Sequence, residues 1–299
     1  MNIFYIGPYR QNNFEGLLSK NIIRNLCKNH TTLIRPIYYD ATCVDTSIEE
    51  SLAELENTNS NQFDCLVQHV PIGLALRTQQ FDKNILIPIM DDTYDYSFHM
   101  TSMIDMLLVD TESSNSILEK SDIHSYIYNY DLDTTNFSKK NKFDLGVLNC
   151  MNKLYFIGEY SSNSDTIYSI IRSFIYLRTE LLQDYCLVLF VINTDKTSLG
   201  LLDTYIKQAY ASVEATNSIN RISVVPINMS LENVLAAHNS CDILLNMNHQ
   251  PSNSINEKLA QFYDNDIIST DKMTRNQYLT SNNKIYKYFI NQQSDKDIV

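Results

Sequence analysis

Apolar residues in this chain come in two alternating kinds of run. Short blocks of apolar and aromatic residues read as buried strands, and between them apolar positions recur at helical spacing. In the first half the pattern predicts a strand at 3–7 and a helix at 15–28, with Leu18, Ile22 and Leu26 on one face. A strand follows at 32–39. Thr46 and Glu49 have the spacing of a capping box and start a helix that runs to about residue 57. Strands at 63–68, 84–90 and 105–109, a helix at 113–120 and a strand at 124–130 complete the half. Residues 131–150 are polar and read as a linker. The second half repeats the grammar. Its strands are 154–158, 186–192, 222–225, 242–246 and 266–269, and its helices are 163–182, 198–214, 231–238 and 254–263, followed by a helical tail at 273–291. Ile167, Ile170, Ile171, Phe174 and Leu177 line one face of the first of these helices.

One phrase occurs twice. Ile3-Phe4-Tyr5-Ile6-Gly7 opens the chain and Leu154-Tyr155-Phe156-Ile157-Gly158 opens its second half. Each is a strand stopped by a glycine and followed by a helix. The expected architecture is α/β, with two Rossmann-like domains, 1–145 and 146–299, whose parallel sheets face each other across a cleft. Ligands of such sheets bind at the carboxyl ends of the strands.

Charge and composition narrow the function. The net charge is −12 with no run of Lys and Arg, which disfavours nucleic acid and anionic membranes as partners. No stretch is long and apolar enough to span a bilayer, and the N-terminus lacks the features of a signal peptide. The six cysteines form no CxxC pair, which argues against zinc and a disulfide framework and fits a reducing, cytoplasmic setting. There are only six glycines, so each one carries geometric weight.

The order and spacing of these segments resemble the two-Rossmann (GT-B) glycosyltransferases, in particular the large retaining, nucleotide-sugar-dependent group (group 1, family 4-like). The resemblance rests on Gly7-Pro8-Tyr9-Arg10-Gln11 through Gly16, on Asp64-Cys65-Leu66-Val67-Gln68-His69, and on Phe156-Ile157-Gly158-Glu159-Tyr160. It rests also on the run from Ala236 to Leu245, on 250–257 and on 266–270. It implies metal-independent transfer of a sugar from a nucleotide diphosphate sugar, a co-substrate rather than a cofactor, to an unidentified acceptor. On that resemblance the donor lies against Gly158, Ser161, Asn163, His249, Ser252, Asn253, Ser254 and Glu257, and the acceptor against Gly7, Arg10, Gln11 and Gly16. His69 and Glu257 become the candidate catalytic residues. A diphosphate needs backbone amides at a helix N-terminus, and a ribose needs a carboxylate.

The chain departs from the family pattern at three places. His249 stands where the first of two paired glutamates belongs, Ser164 where a basic residue belongs, and the first loop carries one close glycine instead of two. Glu257 also has capping-box spacing from Ser254. Asp91-Asp92-Thr93-Tyr94-Asp95 resembles the acidic metal motif of the single-domain glycosyltransferases, but it falls in the acceptor half. The alternative function is a catalytically silent relative that binds a nucleotide, a sugar or a partner subunit. Transfer to a viral DNA base is disfavoured by the charge.

Overall fold

The computed structural model describes residues 1–39, 44, 48–57, 62–76, 78–89, 104–109, 125–127, 134, 137, 139–145, 152–180, 185–192, 194–212, 221–247 and 253–269. The chain forms two compact units, one over Met1–Thr135 with Gln250–Ser254 and one over Asn136–His249 with Ile255–Val299.

The first unit is built on a six-stranded parallel sheet. Its elements are β1 (Asn2–Gly7), α1 (Phe14–Cys27), β2 (Thr31–Pro36), α2 (Glu50–Asn57), β3 (Cys65–Pro71), β4 (Lys83–Ile89), β5 (Met106–Val109) and β6 (Ser125–Ile127). The strand order is β2-β1-β3-β4-β5-β6. β3 is buried along nearly its whole length, as a central parallel strand must be. α1 buries Leu18, Ile22 and Ile23 against the sheet, while Leu26 is only half-buried.

The second unit holds β7 (Asn152–Glu159), α3 (Tyr160–Glu180), β8 (Tyr185–Ile192), α4 (Lys196–Ser212), β9 (Ile222–Ile227), α5 (Leu231–Ser240), β10 (Ile243–Asn246), α6 (Asn253–Phe262) and β11 (Asp266–Ser269). Its five parallel strands run β11-β10-β7-β8-β9, the Rossmann order with its reversal between β7 and β10. One face of this sheet, with Leu154, Phe156, Leu189 and Leu245, packs on Ile167, Ile170, Ile171 and Phe174 of α3 and on Leu202 and Ile206 of α4.

The two sheets share a device at their amino edges. Asp64 Oδ2 accepts from the Asn2 amide at 2.8 Å, Asp105 Oδ2 from Asn84 at 2.7 Å, and Asp242 Oδ2 from Lys153 at 2.8 Å. In each case an aspartate just before a strand satisfies a backbone donor of the neighbouring strand.

Three boundaries differ from the sequence reading. β3 runs on through His69 to Pro71, because hydrogen-bond partners allow a histidine inside the strand. α2 starts at Glu50, where the Glu49 carbonyl accepts from Leu52 and Ala53. The polar stretch read as a linker packs, in its described part, on the second unit. Phe143 N donates to Ser240 Oγ at 2.8 Å, and Asn239 Nδ2 donates to the carbonyls of Lys139 and Asn141. The helices expected at 113–120 and 273–291 and the Asp91–Asp95 motif (91–95) lie outside the described residues, as does Thr46.

Cys65 and Cys241 are buried free thiols, as expected, and burial raises both pKa values, that of Cys65 to about 11. Cys186 is disulfide-bonded, against the expectation of unpaired cysteines, which removes one support for a reducing setting. Among the described residues no helix is long and apolar enough to cross a membrane, and no group of three or more His, Cys, Asp or Glu is placed to hold a metal ion.

Candidate functional site

In the second unit the reversal of strand order opens beside the carboxyl ends of β7 and β10. Gly158 is the next-to-last residue of β7. A Cβ at this position would lie 2.7 Å from the Phe156 ring, so the aromatic side chain two residues earlier requires the glycine. The chain then turns into α3, which is broken at Asn163 (φ −126°, ψ 16°). The buried Asn163 side chain donates through Nδ2 to the Glu159 carbonyl at 3.0 Å and closes this turn. The regular helix therefore starts at Ser164, close to the expected start. Ser161 is exposed in the turn.

Parallel pairing of Leu244 with Tyr155 sets the end of β10 beside the carboxyl-terminal half of β7. Asn246 is its last residue and is buried. Its Nδ2 donates to Glu257 Oε1 on α6, and Glu257 is 7% exposed. A carboxylate so far from water needs donors, and here an amide supplies one. α6 starts at Asn253, and the Glu257 carboxylate accepts from Asn246 across to β10. His249 and Ser252 lie outside the described residues, as do the side chains of Asn253 and Ser254.

Below this edge, Tyr155 donates its hydroxyl to His238 Nδ1 at 2.6 Å. His238 Nε2 lies 3.4 Å from Asn256 Oδ1, and Asn265 Nδ2 donates to the Tyr155 oxygen and the His238 carbonyl. Full burial lowers the His238 pKa to about 3, so the ring is neutral, with its proton on Nε2 facing Asn256. This network clamps α5 and α6 to the sheet behind Glu257.

In the first unit the order reverses between β1 and β3. Gly7 ends β1, and a Cβ there would lie 2.7 Å from the Tyr5 ring, the same aromatic-over-glycine arrangement as at Gly158. A Cβ at Gly16 would fall 1.8 Å from the Gln11 carbonyl oxygen, so α1 meets the loop in a contact that only glycine allows. Asn13 caps α1, its Oδ1 accepting from the Gly16 amide at 3.0 Å. Gln11 is buried, and its amide donates to the Pro8 carbonyl at 2.8 Å.

Arg10 is not presented to solvent as an isolated cation. Its Nε and Nη2 both donate to Glu56, at 2.7 and 2.5 Å, and Tyr9 donates to the same carboxylate at 2.7 Å. The Arg10 hydrogen bond holds the Glu56 pKa below its ordinary value, and burial raises that of Tyr9. His69 sits within β3 and is 1% exposed. Its Nδ1 lies 3.2 Å from the Tyr5 hydroxyl and its Nε2 2.9 Å from Glu15 Oε2 in the first turn of α1. The Tyr5 hydroxyl also meets Ser19 Oγ at 2.7 Å. The residues that sequence reasoning missed are thus Glu15, Asn246, Glu56 and Tyr5. Two of these had a signal: Tyr5 lies in the repeated phrase, and Glu15 stands beside Gly16.

No protein-family model matches the chain, and no curated protein does. Solved structures do. A trehalose-6-phosphate synthase, studied for glycosyl transfer with retention, aligns over 98% of this chain and 90% of its own at 8% identity and a TM-score of 0.53. An O-GlcNAc transferase variant from Thermobaculum terrenum aligns over 99% of this chain at 10% identity and a TM-score of 0.51, with the chain spanning 63% of its length. A Listeria monocytogenes protein described as a UDP-N-acetylglucosamine 2-epimerase aligns over 99% of this chain and 89% of its own, at 10% identity and a TM-score of 0.51. At this identity the likeness shows the fold, and that fold is the two-Rossmann GT-B architecture.

Proposed function

From a GT-B fold as premise, we propose that the protein transfers a sugar from a nucleoside diphosphate sugar to an acceptor without a metal ion. The second unit takes the donor. The Gly158–Asn163 turn (158–163) and the start of α6 offer backbone amides to the diphosphate, and Glu257 accepts from the ribose hydroxyls. The first unit takes the acceptor near Gly7, Gly16 and His69. The observation that carries this reading is Glu257, a buried carboxylate held by Asn246 at the strand-order reversal. The names of the similar structures agree with it, since two denote sugar transfer and one a UDP-sugar.

A second reading is favoured by charge. No Lys or Arg occurs between Lys153 and Arg172, and Arg10 is paired with Glu56. A turn after β7 without a cation suits a relative that binds a nucleotide or sugar without turning it over. One experiment separates the two. The protein is incubated with UDP-glucose, UDP-N-acetylglucosamine and GDP-mannose, and free nucleoside diphosphate and melting shifts are measured. Turnover supports transfer, shifts without turnover support the silent binder, and neither signal with any donor defeats both.

A further inference from the structure

The stretch 139–143, with Phe137 before it, belongs to the second unit and takes no part in the donor reading. Its backbone and Asn141 are fastened to α5. Asn239 Nδ2 donates to the carbonyls of Lys139 and Asn141 at 2.8 Å each, Phe143 N donates to Ser240 Oγ at 2.8 Å, and Asn141 Nδ2 donates to Glu232 Oε1 at 3.0 Å. Two side chains reach a different helix. The Phe137 ring meets the Phe262 ring edge-on at 5.4 Å. Lys139 Nζ lies 5.1 Å from the centre of the Phe262 ring and 6.0 Å from that of Tyr263. Phe262 ends α6, and the chain leaves the helix through a tight corner. Asp264 N donates to the Gln261 carbonyl at 3.0 Å and Asn265 N to the Ala260 carbonyl at 2.9 Å, with Asp264 in the left-handed region at φ 61°. Glycine is the usual residue at such a corner. An aspartate there sets a negative charge at the negative end of the helix, and α6 has no basic residue in its last turn. Lys139 supplies the missing cation, its Nζ 3.6 Å from Asp264 Oδ2. A helix of ten residues does not hold itself in water, so its contacts decide whether it stays docked.

We propose that 139–143 is a strap that controls the docking of α6, with Lys139 as its latch. The same helix carries Glu257, so undocking α6 takes this carboxylate away from Asn246. The strap therefore acts on the edge of β7 and β10 from the C-terminal end of the helix. It works within the second unit, and its effect on a nucleotide rests on the donor site proposed above. Coupling of this kind is reciprocal: a nucleotide that needs Glu257 in place also holds the strap down.

The test is amide hydrogen exchange on the whole protein, read by mass spectrometry. Lys139→Met keeps most of the side chain and removes its charge. It should speed exchange of 255–262 about fivefold, the combined weight of a cation at a helix end and over an aromatic ring, and leave 196–212 in α4 unchanged. Phe137→Ala should have the same effect through the Phe262 ring. Lys207→Met, which breaks an exposed ion pair with Asp203 on α4, should leave 255–262 at the wild-type rate. UDP or GDP, added to the wild type at about a hundred times its Kd, should slow exchange of 255–262 and of 139–145 together. A wild-type rate at 255–262 in either strap variant overturns the proposal. So does an equal rise at 255–262 and 196–212, which reports loosening of the whole unit. A bound nucleotide that slows 255–262 and leaves 139–145 unchanged also overturns it. Absence of binding by either nucleotide defeats the donor site and leaves the strap to be decided by the variants.

Discussion

The two units solve the same local problem and then use the solution differently. Each starts with a strand whose last residues place an aromatic ring over a glycine, Tyr5 over Gly7 and Phe156 over Gly158, with a Cβ excluded at 2.7 Å in both. Each ties a tyrosine of that first strand to a buried histidine, Tyr5 to His69 and Tyr155 to His238. Beyond this they part. In the first unit the histidine sits on a strand and ends its chain on Glu15, which reaches solvent, and the nearby cation is consumed by Glu56. In the second unit the histidine sits on a helix and meets Tyr155 and Asn256, while the edge carboxylate, Glu257, accepts from Asn246. The comparison teaches that the repeated phrase specifies a scaffold. What each unit offers a ligand is set by residues outside the phrase.

The strongest way to break the comparison is at Gly16, which has no counterpart after Gly158. Gly16→Ala places a Cβ against the Gln11 backbone and should destabilise the first unit by about 3 kcal/mol, measured by urea denaturation. A neutral effect would mean that the loop and α1 are not locked together.

Acid sharpens the contrast between the histidine networks. His238 has a folded pKa near 3 against about 6.5 in an unfolded chain, so between those values the folded unit binds fewer protons. Its contribution is full above pH 6.5 and falls by about 1.4 kcal/mol per pH unit below it, or about 2 kcal/mol at pH 5. His238→Gln should flatten that slope. An unchanged slope from pH 6.5 to 4 would show that the ring is reachable by water.

The Arg10–Glu56 pair should show its own acid dependence. Glu56 has a lowered folded pKa, so the pair stabilises fully above the ordinary carboxylate range and is lost as pH falls through the folded value. Glu56→Gln should cost about 1–2 kcal/mol at neutral pH, partial exposure trimming the effect, and should converge with wild type in acid. Parallel curves at all pH values would remove the ion pair from the account.

The finest test is the symmetric one. Gly7→Ala and Gly158→Ala each force one ring aside and should each cost about 1–2 kcal/mol in urea denaturation. The Gly7 variant should be the worse of the two, because Tyr5 is held by Ser19 and His69. The reverse order would show that Phe156 is the more tightly packed ring.

Much of the fold was legible because buried parallel strands are written as short apolar runs. β8 and β11 lie within a residue of their expected bounds, and the break at Asn163 marks the expected start of the first helix in the second half. His69 misled the reading of β3, since a polar residue after an apolar run looks like a loop until its partners, 54 and 64 residues away in sequence, are known. The turn glycines Gly7, Gly16 and Gly158 were legible because their neighbours in sequence report the close packing there. Glu257 was singled out through the resemblance, but its contact with Asn246 and the capture of Arg10 by Glu56 depend on pairings that no local pattern encodes.

The central claim is that the second unit holds a nucleoside diphosphate at the edge formed by β7 and β10. Isothermal titration of UDP and GDP into the wild-type protein and Glu257→Gln tests it most directly. The account predicts saturable binding of at least one nucleotide by wild type and a Kd about tenfold or more weaker in the variant, a difference of about 1.4 kcal/mol. Absence of binding by wild type, or equal affinity in the two proteins, would contradict it.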